Sequence, residues 1–289
     1  MFLVSMAQEN EEVAQASLVT SRNCSSDERY QYDTFTTGLI LQDMAFKRSD
    51  PGPGDMVPAF DLPIIGGGRF RSVELGSTPV LMVFGSLTCP VTESSGPVLN
   101  KLYKSFGDHV RFVVVNTREA HPGELIPQPK TFPEKKRHAE RLKKHHGFHF
   151  EAAVDDLDGT LHRALGPKPN SAYLLSPEGR ILFRAHWAND AGGLKRAIAR
   201  VIAGRAIVKG KSSAMLWPLL KAIGHLPGVI RSGGRKVAHD VWRAVPPFGV
   251  MAGASKLFPF LPKDYRGAAA TLLLGGLAAG TVGYLATAF

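Results

Sequence analysis

Cysteine is nearly absent: the 289-residue chain has two, Cys24 and Cys89. So few cannot build a disulfide framework, which excludes a small stapled secreted fold. Cys-x-x-Cys is missing as well, because Thr92 stands where the second cysteine of such a pair falls. A dithiol–disulfide shuttle is therefore not expected. The N-terminus runs Met1 to Met6 and then turns acidic at Glu9, Glu11 and Glu12. It lacks a basic n-region and a long apolar core, so no signal peptide is expected. Acidic residues thin out toward the other end. Positions 203–266 carry eleven Lys or Arg against Asp240 and Asp264, and 267–289 carry no charge. The net charge of +10 is thus concentrated in the tail. A near-neutral body with a basic, apolar tail points to a membrane surface ahead of nucleic acid.

What remains is globular, with an ordinary hydrophobic content of 44%. Residues 1–53 lack a sustained apolar period and end in Ser49-Asp50-Pro51-Gly52-Pro53, so they read as a flexible leader. Regular patterning begins at Gly54. The run 79–86 (PVLMVFGS) suits a central strand, 91–106 is an amphipathic helix, and 109–117 is a second buried strand. A proline-filled loop precedes a charged helix at 135–146 and a strand at 150–155. A short helix, a hairpin of 171–176 with 180–186, and a helix over 191–203 complete the unit. This order predicts an α/β domain at 54–204 with a thioredoxin-like fold, a central mixed sheet flanked by helices.

The tail divides in two. Residues 205–266 mix aromatics, prolines and Lys/Arg as a basic amphipathic membrane-proximal segment does. Residues 267–289 are long enough to span a bilayer, which predicts a tail anchor with the domain on the cytoplasmic side. Gly276 and Gly280 form a small-residue face suited to helix pairing. The alternative is a buried C-terminal helix in a soluble homodimer.

Cys89 lies at the end of the first buried strand and the start of the helix, followed by Pro90. Helix N-terminal amides beneath the sulfur favour its thiolate, the reactive form, which makes Cys89 a candidate nucleophile. Thr88 stands beside it. After the next strand come Glu119 and His121, separated by Ala120, so an extended segment turns both the same way. Glu119 is placed to orient the His121 imidazole, and His121 to hold or pass a proton for the thiol. His138, His145, His146 and His149 invite a metal reading. They sit on or beside a charged helix without a carboxylate or cysteine ligand pattern, so a solvated face is expected and no metal. Gly66-Gly67-Gly68 is a turn, since no strand–helix context makes it a phosphate loop.

The motif Phe84-Gly85-Ser86-Leu87-Thr88-Cys89-Pro90, together with Glu119-Ala120-His121-Pro122, resembles the iodothyronine deiodinase family within the thioredoxin/peroxiredoxin-like group. Ile126-Pro127-Gln128 is similar to that family's following insertion. The resemblance spans about 58–187. It implies reductive chemistry at Cys89, standing where the family has selenocysteine or cysteine, with Glu119, His121 and Thr88 in support. It implies no bound cofactor, an external thiol donor, and a small electrophile: a peroxide, a disulfide or a carbon-bound halogen. It also makes Pro169, before the hairpin, the cis-proline opposite the nucleophile. The chain departs from the family at Pro129, where a second histidine is expected, and at Pro169-Asn170-Ser171-Ala172, where no substrate-clamping arginine appears. A one-cysteine peroxidase is the nearest rival, weakened because Ser86 rather than threonine precedes Cys89 by three residues. A redox-inert thioredoxin-like membrane scaffold is the non-enzymatic alternative.

Overall fold

A computed structural model of the chain describes residues 30–288. Cys24 and residues 1–29 lie outside the described residues. Helix α1 (Thr37–Asp43) opens on Thr36, whose Oγ1 accepts from Leu39 N at 3.4 Å. Two short strands, β1 (Asp61–Pro63) and β2 (Arg69–Arg71), pair antiparallel across the predicted glycine turn.

The main sheet is built on β3 (Val80–Gly85), buried at every position. It runs parallel to β4 (Arg111–Asn116), which runs parallel to β5 (Glu151–Val154). On its other side it pairs antiparallel with β6 (Ala172–Leu175), followed by β7 (Ile181–Ala185) and the two-residue β8 (Lys211–Ser212). The strand order is β5-β4-β3-β6-β7-β8. Helix α2 (Pro90–Phe106) links β3 to β4, and α3 (Phe132–His146) links β4 to β5. Then α4 (Thr160–Ala164) leads to the hairpin, and α5 (Ala191–Ile202) follows it.

Alternation along β3 divides the core between two faces. Leu81 and Val83 pack with Leu99, Phe112, Leu142 and Ile198, whereas Val80, Met82 and Phe84 pack with Phe70, Val113, Leu161 and Tyr173. A run apolar at every position is what a strand covered on both faces needs. Truncating a side chain as buried as Leu99 to alanine costs about 2–5 kcal/mol.

Two expectations are corrected at the ends. Residues 31–53 are folded, with Phe35 and Asp43 buried, rather than a flexible leader. Their order comes from distant partners: Phe35 N donates to Asp240 Oδ2 at 3.3 Å, and Thr37 Oγ1 donates to Ala244 O at 2.7 Å. Local periodicity carries no trace of such contacts. The tail forms α6 (Leu216–Gly233), α7 (Arg235–Ala244), α8 (Pro246–Ser255) and α9 (Lys263–Ala288). The helix expected at 267–289 forms, but among the described residues no helix is long and apolar enough to cross a membrane. Glycine, alanine and threonine dilute its leucines, and Lys263, Asp264 and Arg266 stand in its first turn.

The basic segment is a packed layer rather than a loose one. α6 lies against α2, and Leu226, Val229, Val237, Val241 and Ala252 make a core of their own. α6 and α9 cross with their backbones in contact. A Cβ on Gly224 stands 2.0 Å from Lys263 O, and one on Gly267 stands 2.0 Å from Leu220 O. Only glycine fits either position.

Candidate active site

Cys89 is the N-cap of α2, with Pro90 opening the helix. Its extended backbone (φ −97°, ψ 117°) turns the sulfur over the first turn, where Thr92 N donates to Sγ at 3.4 Å. The location matches the sequence expectation, but the ionisation does not. Cys89 is 1% exposed, and burial pushes its thiol up to about 11 against the pull of the Thr92 and Val91 amides. A thiolate without water or a cation is costlier than the helix terminus can offset.

Glu119 is fully buried and has a different partner from the one expected. Its Oε2 accepts from Thr88 N at 2.9 Å and from Thr88 Oγ1 at 2.8 Å, and its Oε1 meets His138 Nδ1 at 2.7 Å. Both Glu119 oxygens are thus engaged by Thr88 and His138, and the backbone of His121 meets Thr88 rather than Glu119. Thr88 Oγ1 in turn accepts from His121 N at 3.1 Å. Glu119 therefore fixes the loop that carries His121 through Thr88. The Glu119 backbone is held by Gln128, whose Oε1 accepts from its N at 2.8 Å and whose Nε2 donates to its O at 2.9 Å.

His138 was expected on a solvated face, yet it is 8% exposed and bonded to Glu119. Thr131 and Glu134 form a capping box that starts α3. Lys135, His138, Ala139 and Leu142 then fall on one buried stripe. That i, i+3, i+4, i+7 spacing was the available signal.

The His121 ring leans on Phe35, with centroids 4.2 Å apart. Its Nδ1 is buried without a hydrogen-bond partner, and burial holds the imidazole down at about 4, so it is neutral near pH 7. Cys89 and His121 line the same cavity, a mostly apolar space of about 60 Å³ that Asp43, Pro169 and Trp187 also border. Burial pushes the Asp43 carboxyl up to about 7, with Arg118 and Lys168 opposing it. Asp43 falls within the stretch expected as a flexible leader, and the structure brings it to this cavity. Pro169, expected as a cis-proline, borders the cavity with Cys89, but no peptide bond among the described residues is cis. The next residue, Asn170, anchors this corner instead: its Nδ2 donates to Phe84 O at 2.9 Å and to Thr92 Oγ1 at 3.2 Å.

The far wall of the cavity comes from the tail. Leu219, Ala222, Ile223 and Leu226 of α6 and Val241 of α7 line it, and Ala222 shares an apolar cluster with Cys89. Glu124, three residues past His121, caps α7 from outside the helix, accepting from Arg235 N and from Lys236 N at 2.8 Å. Leu125 N donates to Gly233 O at 3.2 Å beside it.

No protein-family model matches the chain, and no curated protein matches it in sequence. Solved structures do resemble it. A hypothetical protein from Sinorhizobium meliloti 1021 aligns at 19% identity and TM-score 0.45, covering 58% of this chain and 95% of that one. Peroxidoxin BcpB from Mycobacterium tuberculosis aligns at 21% identity and TM-score 0.41, covering 53% and 98%. A secreted M. tuberculosis disulfide oxidoreductase aligns at 16% identity and TM-score 0.38, covering 49% and 95%. The fold is thioredoxin-like. The strand order carries that assignment: a β-α-β unit, then an antiparallel hairpin on the same sheet, with the cysteine at the carboxyl end of β3. In such open sheets the loops beyond the strand ends hold the site, and Thr88, Cys89, Glu119 and His121 all lie in that position.

Proposed function

We propose that the protein is a thiol-dependent oxidoreductase of the deiodinase-like kind, with Cys89 as its single nucleophile and an external thiol as reductant. The observation supporting this most is the cavity shared by the Cys89 sulfur and a neutral His121 whose Nδ1 has no partner. Movement of the helical cover lets water relieve the burial that keeps the thiol protonated and the imidazole neutral. His121 then takes the thiol proton, and the thiolate attacks a peroxide oxygen, a disulfide sulfur or a carbon-bound halogen. A bond from sulfur to the attacked atom forms as that atom's bond to its leaving group breaks, and the leaving group takes up a proton. One donor thiol then displaces the transferred atom or group, leaving a mixed disulfide. A second donor thiol restores Cys89 and departs as the donor disulfide. Thr88 and Glu119 are positioning residues in this scheme. The helical cover must move for a substrate to reach the sulfur.

Turnover of a peroxide, a disulfide and an iodinated phenol should be compared in wild type and Cys89→Ser with a dithiol donor. Loss in the variant is expected, and full activity of Cys89→Ser on all three would sink the reading. The second reading, a redox-inert thioredoxin-like scaffold, is favoured by the burial that protonates Cys89. It requires wild type to be inactive on all three.

We also propose that the tail rests on a membrane surface. Trp217 (44% exposed), Trp242 (50%) and Phe260 (76%) stand among the Lys and Arg of 203–266, the pairing that interfacial segments use. Co-sedimentation with vesicles containing phosphatidylserine is expected, and its absence at low salt would remove the proposal.

A further inference from the structure

A second cluster of chemistry-bearing side chains lies on the same helix as Cys89. Glu93 stands in the first turn of α2, and His145 and His146 end α3. His145 Nε2 is 2.9 Å from both oxygens of Glu93, and His146 Nε2 is 3.7 Å from Oε2. One ligand atom from each of the three falls within 4.8 Å of the others. We propose that Glu93, His145 and His146 bind one divalent transition-metal ion, with zinc the best fit and a fourth position open to water.

The arrangement is built rather than incidental. Neighbouring positions on a helix do not face the same way, yet at the end of α3 two consecutive imidazoles converge on one carboxylate. His146 is held in place from three sides. Its ring stacks on Phe148 at 5.0 Å and 26°. Its carbonyl accepts from Asn100 Nδ2 at 2.8 Å. Its Nδ1 lies over Gly96, where an added Cβ stands 2.3 Å away, so only glycine at that position admits the ring. The His146 side chain is only 7% exposed, so its ring is fixed beside the Glu93 carboxylate.

His145 is the movable member. Its side chain is 54% exposed, which gives an ion a way in and lets the ring swing toward a shared centre. Zinc bonds to imidazole and carboxylate are about 2.0–2.2 Å long, so the ligand atoms must draw closer than they now stand. A small rotation of an exposed side chain achieves this. Two imidazoles and a carboxylate with one open position is a donor set that zinc accepts. A lone His145–Glu93 ion pair explains neither the second imidazole nor the glycine beneath it. Beside the cluster, His225 of α6 gives its Nε2 to Asp264 Oδ1 at 2.8 Å and leaves a buried Nδ1 without a partner.

The test uses the full-length chain, stripped with chelator and titrated with Zn²⁺ by calorimetry, with Co²⁺ absorption as a second readout. About one ion per chain is expected in wild type, with tetrahedral-type Co²⁺ bands in the visible. His145→Ala and Glu93→Gln should each weaken binding at least about tenfold, and Cys89→Ser should bind as wild type does. A wild type that takes up no zinc overturns the proposal. So does zinc bound equally well by His145→Ala and Glu93→Gln, or zinc lost in Cys89→Ser. Because His145 is exposed, its alanine variant tests the site even if Glu93→Gln does not fold.

Discussion

The Cys89 sulfur receives the Thr92 amide hydrogen at 3.4 Å and is still pushed up to about 11, because the cover keeps water from it. A helix N-terminus is worth at most about 2 kcal/mol to an anion, and desolvation of a fully buried charge can exceed that. Alkylation of Cys89 by iodoacetamide should therefore be slow at pH 7 and climb through pH 9 toward 11. A rate already level at pH 7 would mean that the thiolate is the resting form. Glu119 offers a second measurement. Glu119→Ala leaves the Thr88 donors and His138 without their acceptor inside the protein. A loss of about 3–5 kcal/mol is expected for breaking such a buried set, read by urea denaturation. The Cys89→Ser variant should lose far less, since a serine oxygen can still accept from Thr92 N at the N-cap.

The elements around the site were legible to different degrees. Strand β3, helix α2 and the Cys89 N-cap follow from one apolar run and one proline, so the sequence marks them closely. Gly66-Gly67-Gly68 forms the expected turn for the same local reason. The partner of Glu119 was not legible, because His138 lies on the next helix and only the crossover from β4 to β5 brings it back. Asp43 was hidden more deeply: α1 gains its order from Asp240 and Ala244, some two hundred residues away. The Glu93–His145–His146 cluster escaped for a related reason. Its carboxylate comes from a helix distant in sequence, so no spacing rule pairs it with the histidines. Between α6 and α9 the contact is backbone on backbone, and a side chain has no room. Gly224→Val should force the two helices apart and unseat the cover. Faster alkylation of Cys89 is the expected result, at unchanged secondary structure by circular dichroism. An unchanged rate would mean that the cover does not limit access.

Across the whole chain, buried ionisable groups set the response to pH. Asp43, pushed up to about 7, holds its proton more tightly folded than unfolded. Its contribution is complete below the ordinary carboxylate range and is lost as the pH rises to about 7. His121, His146 and His186 are each held down at about 4. They contribute above about 6.5, the ordinary imidazole value, and that stability is lost as the pH falls through 4. His162 is lowered in the same way and Asp155 raised like Asp43, so four histidines oppose two carboxyls and the urea midpoint should drop between pH 7 and pH 5. Asp43→Asn should steepen the drop, and a midpoint that rises on acidification would contradict these assignments. One contact ties the helical cover to the candidate site. Glu124 grips the start of α7 with its carboxylate, and the same short loop carries His121. The roof and the loop that carries His121 thus share a single lever. Lifting the roof to bare the sulfur would also tug on the His121 loop, so that in the scheme proposed above substrate entry and proton removal become one gesture of the chain.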